Sequence, residues 1–391
     1  MNATLSTPRP NSKLANTAAY YLSIFILGLF TAISGPALPS LAENTTSTLD
    51  RIRVLFVLGG LGYLLGSYIG GRAYDRFPGN RLIALTLLLI SACAIFIPLT
   101  HLLWVLLLAQ FILSLAQGAN DVGCNTLLVW LHGKNSGPYI NGLHFFFGLG
   151  AFIAPLALAG ILTRTGDIQW AFWIFAMVGV PLAFWLWHLP EPPPQDEADE
   201  KTGGKVPIVP IILLIAAFLV YVGAEVGFGH WLYTYTITLS LGTTVTAAYL
   251  NSAFWGTFTA GRLLAVWVST RVRAAIILYI DLIGSAASIA VIMLWPDSQA
   301  ALWIGSAGLG LFMASVFPTM LVLAAERMRM TGTITGWFLV GGGAGGMILP
   351  WVIGQAFASF GPWTMPALVL GGVVLNLLAV VVFVQLKPRQ A

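Results

Sequence analysis

Twelve apolar runs of bilayer-spanning length follow one another along this chain. They lie at roughly 18–40, 54–71, 82–100, 102–131, 138–163, 168–189, 207–239, 244–268, 274–295, 300–323, 332–357 and 364–386. A helix needs about 20 apolar residues to cross a hydrocarbon core. In lipid, backbone polar groups are satisfied only inside a helix or a closed barrel. The runs therefore predict an all-α membrane protein with twelve transmembrane helices. Composition agrees: 58% of the residues are hydrophobic and 8% are charged, against about 25% charged in soluble proteins. Cys93 and Cys124 both fall in apolar runs, so neither a disulfide framework nor a C-x-x-C metal site is expected. Arg9 and Lys13 precede an apolar stretch too long for a signal-peptide core, so that stretch reads as the first span.

The connectors are short except for Glu191–Lys205, which is rich in Pro, Gly and acid and reads as a solvated linker. This gives an N-terminal six-helix half (1–190), a linker (191–206) and a C-terminal six-helix half (207–391). With both termini in the cytoplasm, fourteen of the eighteen Lys and Arg lie on the cytoplasmic side; Arg51, Arg53 and Arg164 face outward, and Arg262 is inside a span. That asymmetry decides the topology, and the expected location is a plasma membrane of the bacterial inner-membrane type. The net charge of +4 is thus a topology signal and no pointer to nucleic acid.

Polar residues inside the spans mark the expected site, because Asp at mid-bilayer costs about 2.5–3.5 kcal/mol even on insertion scales. Ser114, Gln117, Asp121 and Asn125 step by three, four and four, so they share one helix face. Such a stripe must look into a bundle or an aqueous cavity, and it is read as lining a transport path. With Thr126 and Asn120 it offers oxygen donors for a hard cation. Glu225 lies near the middle of helix seven, one turn from Tyr221 and one from Gly229, where it could carry a proton or bond a substrate hydroxyl. His144 is one turn from Asn141 and one from Gly148; a buried histidine is often only a core residue, so a role in the path is weighed against that. Rings stack on the apolar face of a sugar while amides read its hydroxyls, which makes Trp231, Tyr235, Asn251 and Trp255 candidates, although many Trp belong to interfacial belts. Arg262 and Asp281 lie at matching distances from the Arg271–Arg273 turn and are expected to form a structural ion pair.

The two halves repeat each other. Gly66, Gly71, Arg72 and Arg81 recur 190 positions later as Gly256, Gly261, Arg262 and Arg271. Gly137, Gly148, Gly150 and Pro155 recur 195 positions later as Gly332, Gly343, Gly345 and Pro350. A duplicated six-helix unit of this kind resembles the major facilitator transporters. Gly71–Arg81 resembles the loop motif of that superfamily through Asp75, Arg76, Gly79 and Arg81, with one extra residue before Gly79. The resemblance implies a gating role for Asp75, Arg76 and Arg81, with Asp75 held by the amino end of helix eleven near Thr331. Asp121, Asn125, Leu143–Phe145, Phe147–Ala151, Pro155 and the run Gly223–Trp231 resemble the fucose permease and sodium-dependent glucose transporter branch. That likeness implies a cation-coupled sugar carrier with its site midway between the halves. Asp121, Asn125 and Glu225 would then couple the ion, Na+ or H+. Gln117, Asn141, His144, Glu225, Trp231, Tyr235, Asn251 and Trp255 would hold the substrate.

No enzyme reaction, bound cofactor or metal site is expected. Gly341-x-Gly343-x-x-Gly346 fits a dinucleotide pattern, but it lies inside a membrane run where glycines serve helix contact, and no Walker A sequence offers ATP as the energy source. The expected partners are a small-molecule substrate, a sugar, and membrane lipid, with the protein a monomer. Proton-driven export of amphipathic compounds is the alternative, and a transport-dead receptor or scaffold the second.

Overall fold

The computed structural model describes residues 10–52, 54–192 and 208–386, and every regular element in them is helical. The spans are α1 (Pro10–Asn44), α2 (Val54–Tyr74), α3 (Gly79–Phe96), α4 (Leu103–His132), α5 (Gly137–Thr165) and α6 (Gln169–His188). They continue with α7 (Ile208–Thr238), α8 (Thr244–Val268), α9 (Ala274–Leu294), α10, α11 (Gly332–Phe360) and α12 (Thr364–Gln385). Helix α10 is in two pieces, α10a (Gln299–Met313) and α10b (Val316–Arg327). Helix ends fall where capping chemistry stands. Gly166 closes α5 in the left-handed region at φ 73°. Thr243 opens α8 and Ser298 opens α10a, each side chain accepting a backbone N–H at 3.2 Å. The expected linker beyond Pro192 lies outside the described residues, as do Arg9, Arg53, Lys201, Lys205, Lys387 and Arg389.

Two features differ from the hydropathy reading. The tenth run, expected to be continuous, breaks at Ala314–Ser315. Pro318 supplies no N–H to the Ala314 carbonyl four residues back, and its ring crowds that carbonyl. Among the described residues, eleven helices are long and apolar enough to cross a membrane, α10a and α10b counting together. The remaining one, α8, is diluted by Thr, Ser, Asn251 and Arg262; its polar content fits burial of part of its surface inside a bundle.

The chain forms two compact units. One comprises Met1–Tyr139, Phe146–Ala198 and Met330–Gly336; the other comprises Ile140–Phe145, Asp199–Arg329 and Trp337–Ala391. The same packing scheme appears in both. In the first, α2 packs on α4, α3 on α4 and α6, and α1 on α6; in the second, α8 packs on α10, α9 on α10 and α12, and α7 on α12. The repeated glycines serve this scheme. A side chain on Gly150 would collide with the Phe25 carbonyl of α1, and one on Gly345 with the Leu219 carbonyl of α7. Only glycine lets these backbones touch. In the first unit Asn80 also ties three helix ends together, accepting from Tyr20 Oη at 2.6 Å and donating to Asn16 at 3.0 Å and to the Pro190 carbonyl at 2.9 Å.

Candidate functional site

Asp121 sits two-thirds of the way along α4, and its half-buried carboxylate takes two donors. Tyr63 Oη of α2 donates to Oδ2 at 2.6 Å, and Asn125 Nδ2 donates to Oδ1 at 2.8 Å. The helix pair is close enough for this because Gly118 on α4 faces the Tyr63 backbone, where a side chain would clash. Gln117 is buried one turn before Asp121, with Nε2 at 3.4 Å from Thr31 Oγ1. Asn125 Oδ1 and Thr126 Oγ1 are buried without a hydrogen-bond partner among the described residues. Asn120, expected to be a further oxygen donor, is committed elsewhere: it accepts from Ser23 Oγ at 3.0 Å and donates to Thr86 Oγ1 at 3.0 Å, joining α1, α3 and α4. Tyr63 was not among the expected residues. Its only sequence sign is its place between Gly62 and Gly66, both of which meet α4 backbone.

In the second unit a buried group collects around Glu225 of α7. Tyr221, one turn earlier, interacts with the Glu225 carboxylate and donates its hydroxyl to the Met313 carbonyl at 2.5 Å, at the end of α10a. Arg262 of α8 acts electrostatically on Glu225. Its Nη1 donates to the His144 carbonyl at 3.0 Å, and its guanidinium lies 4.5 Å from the Phe258 ring centre. The expected Arg262–Asp281 pair is thereby replaced. Asp281 of α9 instead accepts a hydrogen bond from Ser315 Oγ, at the break in α10. Equal depth on neighbouring helices did not fix their rotation, and Arg262 is turned toward α5 and α7.

The remaining candidates divide. His144 is buried edge-on to Phe317 at 5.0 Å, with Nε2 unpartnered among the described residues, and Asn141 is buried one turn before it. Asn251 Oδ1 is likewise buried without a partner among the described residues. Trp255 packs in a ring cluster with Phe254 at 4.9 Å and Phe258 at 5.5 Å. It covers Gly229, where a Cβ would come within 2.5 Å of the indole. Trp231 has a structural contact: Nε1 donates to the Pro350 carbonyl at 2.9 Å, and the ring tilts over Phe357 at 5.2 Å. Tyr235 is buried.

Asp75 is exposed beyond the end of α2, and its carboxylate caps α11. Oδ1 accepts from the Gly332 N–H at 2.6 Å, while Oδ2 accepts from the Thr333 N–H at 2.9 Å and from Thr333 Oγ1 at 2.5 Å. Orphan N–H groups and the helix dipole both favour a carboxylate there. Arg76 is exposed, and Arg81 lies 5.7 Å from the Trp187 ring centre. Among the described residues no three His, Cys, Asp or Glu gather as a metal cluster.

A family model for the Major Facilitator Superfamily matches residues 20–350. The chain belongs to the major facilitator superfamily. It is an integral membrane transporter rather than an enzyme. It is 29% identical over 373 residues to sodium-dependent glucose transporter 1A of Mus musculus, covering 85% of this chain and 88% of the relative. It is 26% identical over 475 residues to major facilitator superfamily domain-containing protein 4A of Homo sapiens, covering 95% and 91%. Among solved structures, the E. coli fucose:proton symporter FucP superposes with a TM-score of 0.80 at 17% identity, covering 95% of this transporter and 99% of FucP. The proton:xylose symporter XylE superposes with a TM-score of 0.76 at 14% identity, covering 97% and 96%. These two likenesses are of fold. The duplicated packing scheme and the Asp75 cap of this transporter are thus set in a twelve-helix major facilitator fold.

Proposed function

We propose that this transporter carries a sugar or a similar small polar solute across a plasma membrane of the bacterial inner-membrane type, with both termini cytoplasmic. The solute moves with Na+ or H+ by alternating exposure of its site to the two sides, and the protein works as a monomer. One observation carries the reading: each unit holds a carboxyl group on a membrane helix with a tyrosine hydroxyl against it, half-buried Asp121 with Tyr63 and also Asn125, and buried Glu225 with Tyr221. A carboxylate in a span is costly unless it serves an ion or a substrate. Asp121, with Asn125 against it, offers oxygen ligands to the coupling ion. Glu225, and in the same unit His144 and Asn251 with their buried unpartnered polar atoms among the described residues, offer groups for hydroxyls. The glucose transporter among its relatives supports a sugar as the cargo.

The test is a thermal-shift screen of the purified transporter against hexoses, pentoses and deoxysugars, with and without sodium. A ligand of the folded state raises its apparent stability. At least one sugar should raise the melting midpoint, and more so with the coupling ion present. No response to any sugar, together with a response to amphipathic cations or anions, would sink the sugar reading.

A further inference from the structure

Asp281 of α9 is a buried acid that the transport reading leaves without a use. It is 8% exposed, and among the described residues the one hydrogen bond to its side chain comes from the Ser315 hydroxyl. Arg262, the buried cation of this unit, acts on Glu225 and donates to the His144 carbonyl instead. The helices packed on α9 bring no other charge to that depth. Neither α10a nor α12 contains an acid, a base, a histidine or a tyrosine, and on α10b Glu326 and Arg327 stand three turns beyond Ser315. On α9 itself, Tyr279 is two residues away and so on another face. The titratable group within electrostatic reach of Asp281 is Tyr221 of α7. The break in α10 links the two. Ser315, on one side of Ala314, holds Asp281; the Met313 carbonyl, on the other, accepts the Tyr221 hydroxyl at 2.5 Å, and Tyr221 interacts with Glu225. Movement at the break would therefore disturb the neighbours of both acids at once.

We propose that Asp281 is an exchangeable proton site of this transporter, loaded and emptied as α10 bends at its break. A carboxylate buried without a cation is strongly destabilising, and a proton removes the charge outright. The Ser315 hydroxyl compensates part of that charge by donating to it, so the hold on the proton depends on where Ser315 stands. Bending of α10 moves Ser315 and thereby ties proton binding to the state of the transporter. Glu225 is placed differently. Arg262 compensates its charge, so Glu225 is available to the cargo while the proton is carried at Asp281. Use of this proton in transport rests on the cation-coupled reading and takes H+ as the cation on the Glu225 side. Binding of the proton does not depend on sugar being the cargo.

The test is an infrared pH titration of the purified full-length transporter, without sugar, following the C=O band of protonated carboxyl groups. Exposed acids are ionised above about pH 5, so a carboxyl that gives up its proton between about pH 5 and about pH 9 stands apart from them. The parent should lose one such band over that range, E225Q should lose it too, and D281N should lack it throughout. S315A removes the hydrogen bond to Asp281 and should move the midpoint by several-fold to about tenfold in proton affinity. It keeps the acid, so it decides the matter if D281N fails to fold. A titrating band kept in D281N or absent from the parent overturns the site, as does an unmoved midpoint in S315A. A band that persists across the whole range makes Asp281 a permanently neutral structural acid and overturns it as well. P318A, which restores the missing N–H, should also move the midpoint, and an unmoved one overturns the link to the break. Sugar added to the same samples keeps the two ideas apart: a titrating Asp281 with no response to any sugar sinks the sugar reading and leaves this site standing.

Discussion

Helices α4 and α10 occupy equivalent places in the two units, each packed on the second and third helices of its own half, yet they are built differently. Helix α4 runs unbroken from Leu103 to His132 and carries its own acid, Asp121, in a stripe of buried polar side chains. Helix α10 is broken at Ala314–Ser315 and borrows its acid, Asp281, from α9. Duplication preserved the packing and let the polar chemistry diverge. A continuous helix with internal hydrogen bonds is a stiff support for an ion station. A helix with an interrupted ladder can bend, because the bonds that resist bending are already missing.

The largest expected effect falls on the stiff side. D121N should abolish ion-driven accumulation of substrate while leaving equilibrative exchange in place, read as uptake against a gradient in proteoliposomes. A mutant that still concentrates substrate would remove Asp121 from coupling. Next comes the broken side. Proline in a helix interior costs about 3 kcal/mol, so P318A should let α10 close its ladder and slow turnover by tenfold or more, at 1.4 kcal/mol per decade. Unchanged turnover would mean that the break is only a packing feature.

Much of this was legible in the sequence, and its failures have physical causes. The twelve runs were visible because lipid leaves the backbone no other way to satisfy its hydrogen bonds. The repeat at Gly150 and Gly345 was visible because close backbone contact admits one residue type. The break at Ala314 was not, since hydropathy averages over a window and one absent N–H at Pro318 leaves the average untouched. Equal depth pairs Asp281 with Arg262 in the sequence, whereas helix rotation gives Asp281 the Ser315 hydroxyl. Tyr63 gave no signal, because a single tyrosine on a glycine-rich helix looks like any membrane aromatic.

A smaller effect concerns Asp75. An acid at a helix amino end is worth about 0.3–1 kcal/mol, or about 2 when partly buried. D75N should therefore shift the balance between transport states toward the inward-open one by up to about tenfold or somewhat more, with substrate affinity within a few-fold. Paired cysteine accessibility on the two faces checks this, and cytoplasmic labelling that does not rise would leave Asp75 a helix cap without a gating role. The smallest effect sharpens the account of Trp231. W231F removes one hydrogen bond to the Pro350 carbonyl, worth about 0.5–1.5 kcal/mol. It should lower the melting midpoint slightly and leave sugar affinity unchanged; a large loss of affinity would return Trp231 to the substrate site.

Coupling of a cation gradient to sugar movement, as proposed above, is open to a single transport measurement. Its most direct test is accumulation of a radiolabelled sugar, chosen from the thermal-shift screen, in proteoliposomes under an imposed inward gradient of Na+ or H+. The account predicts transient accumulation above equilibrium under one of the two gradients, abolished by an ionophore that dissipates it. Uptake that only reaches equilibrium, whichever gradient is imposed, would contradict it.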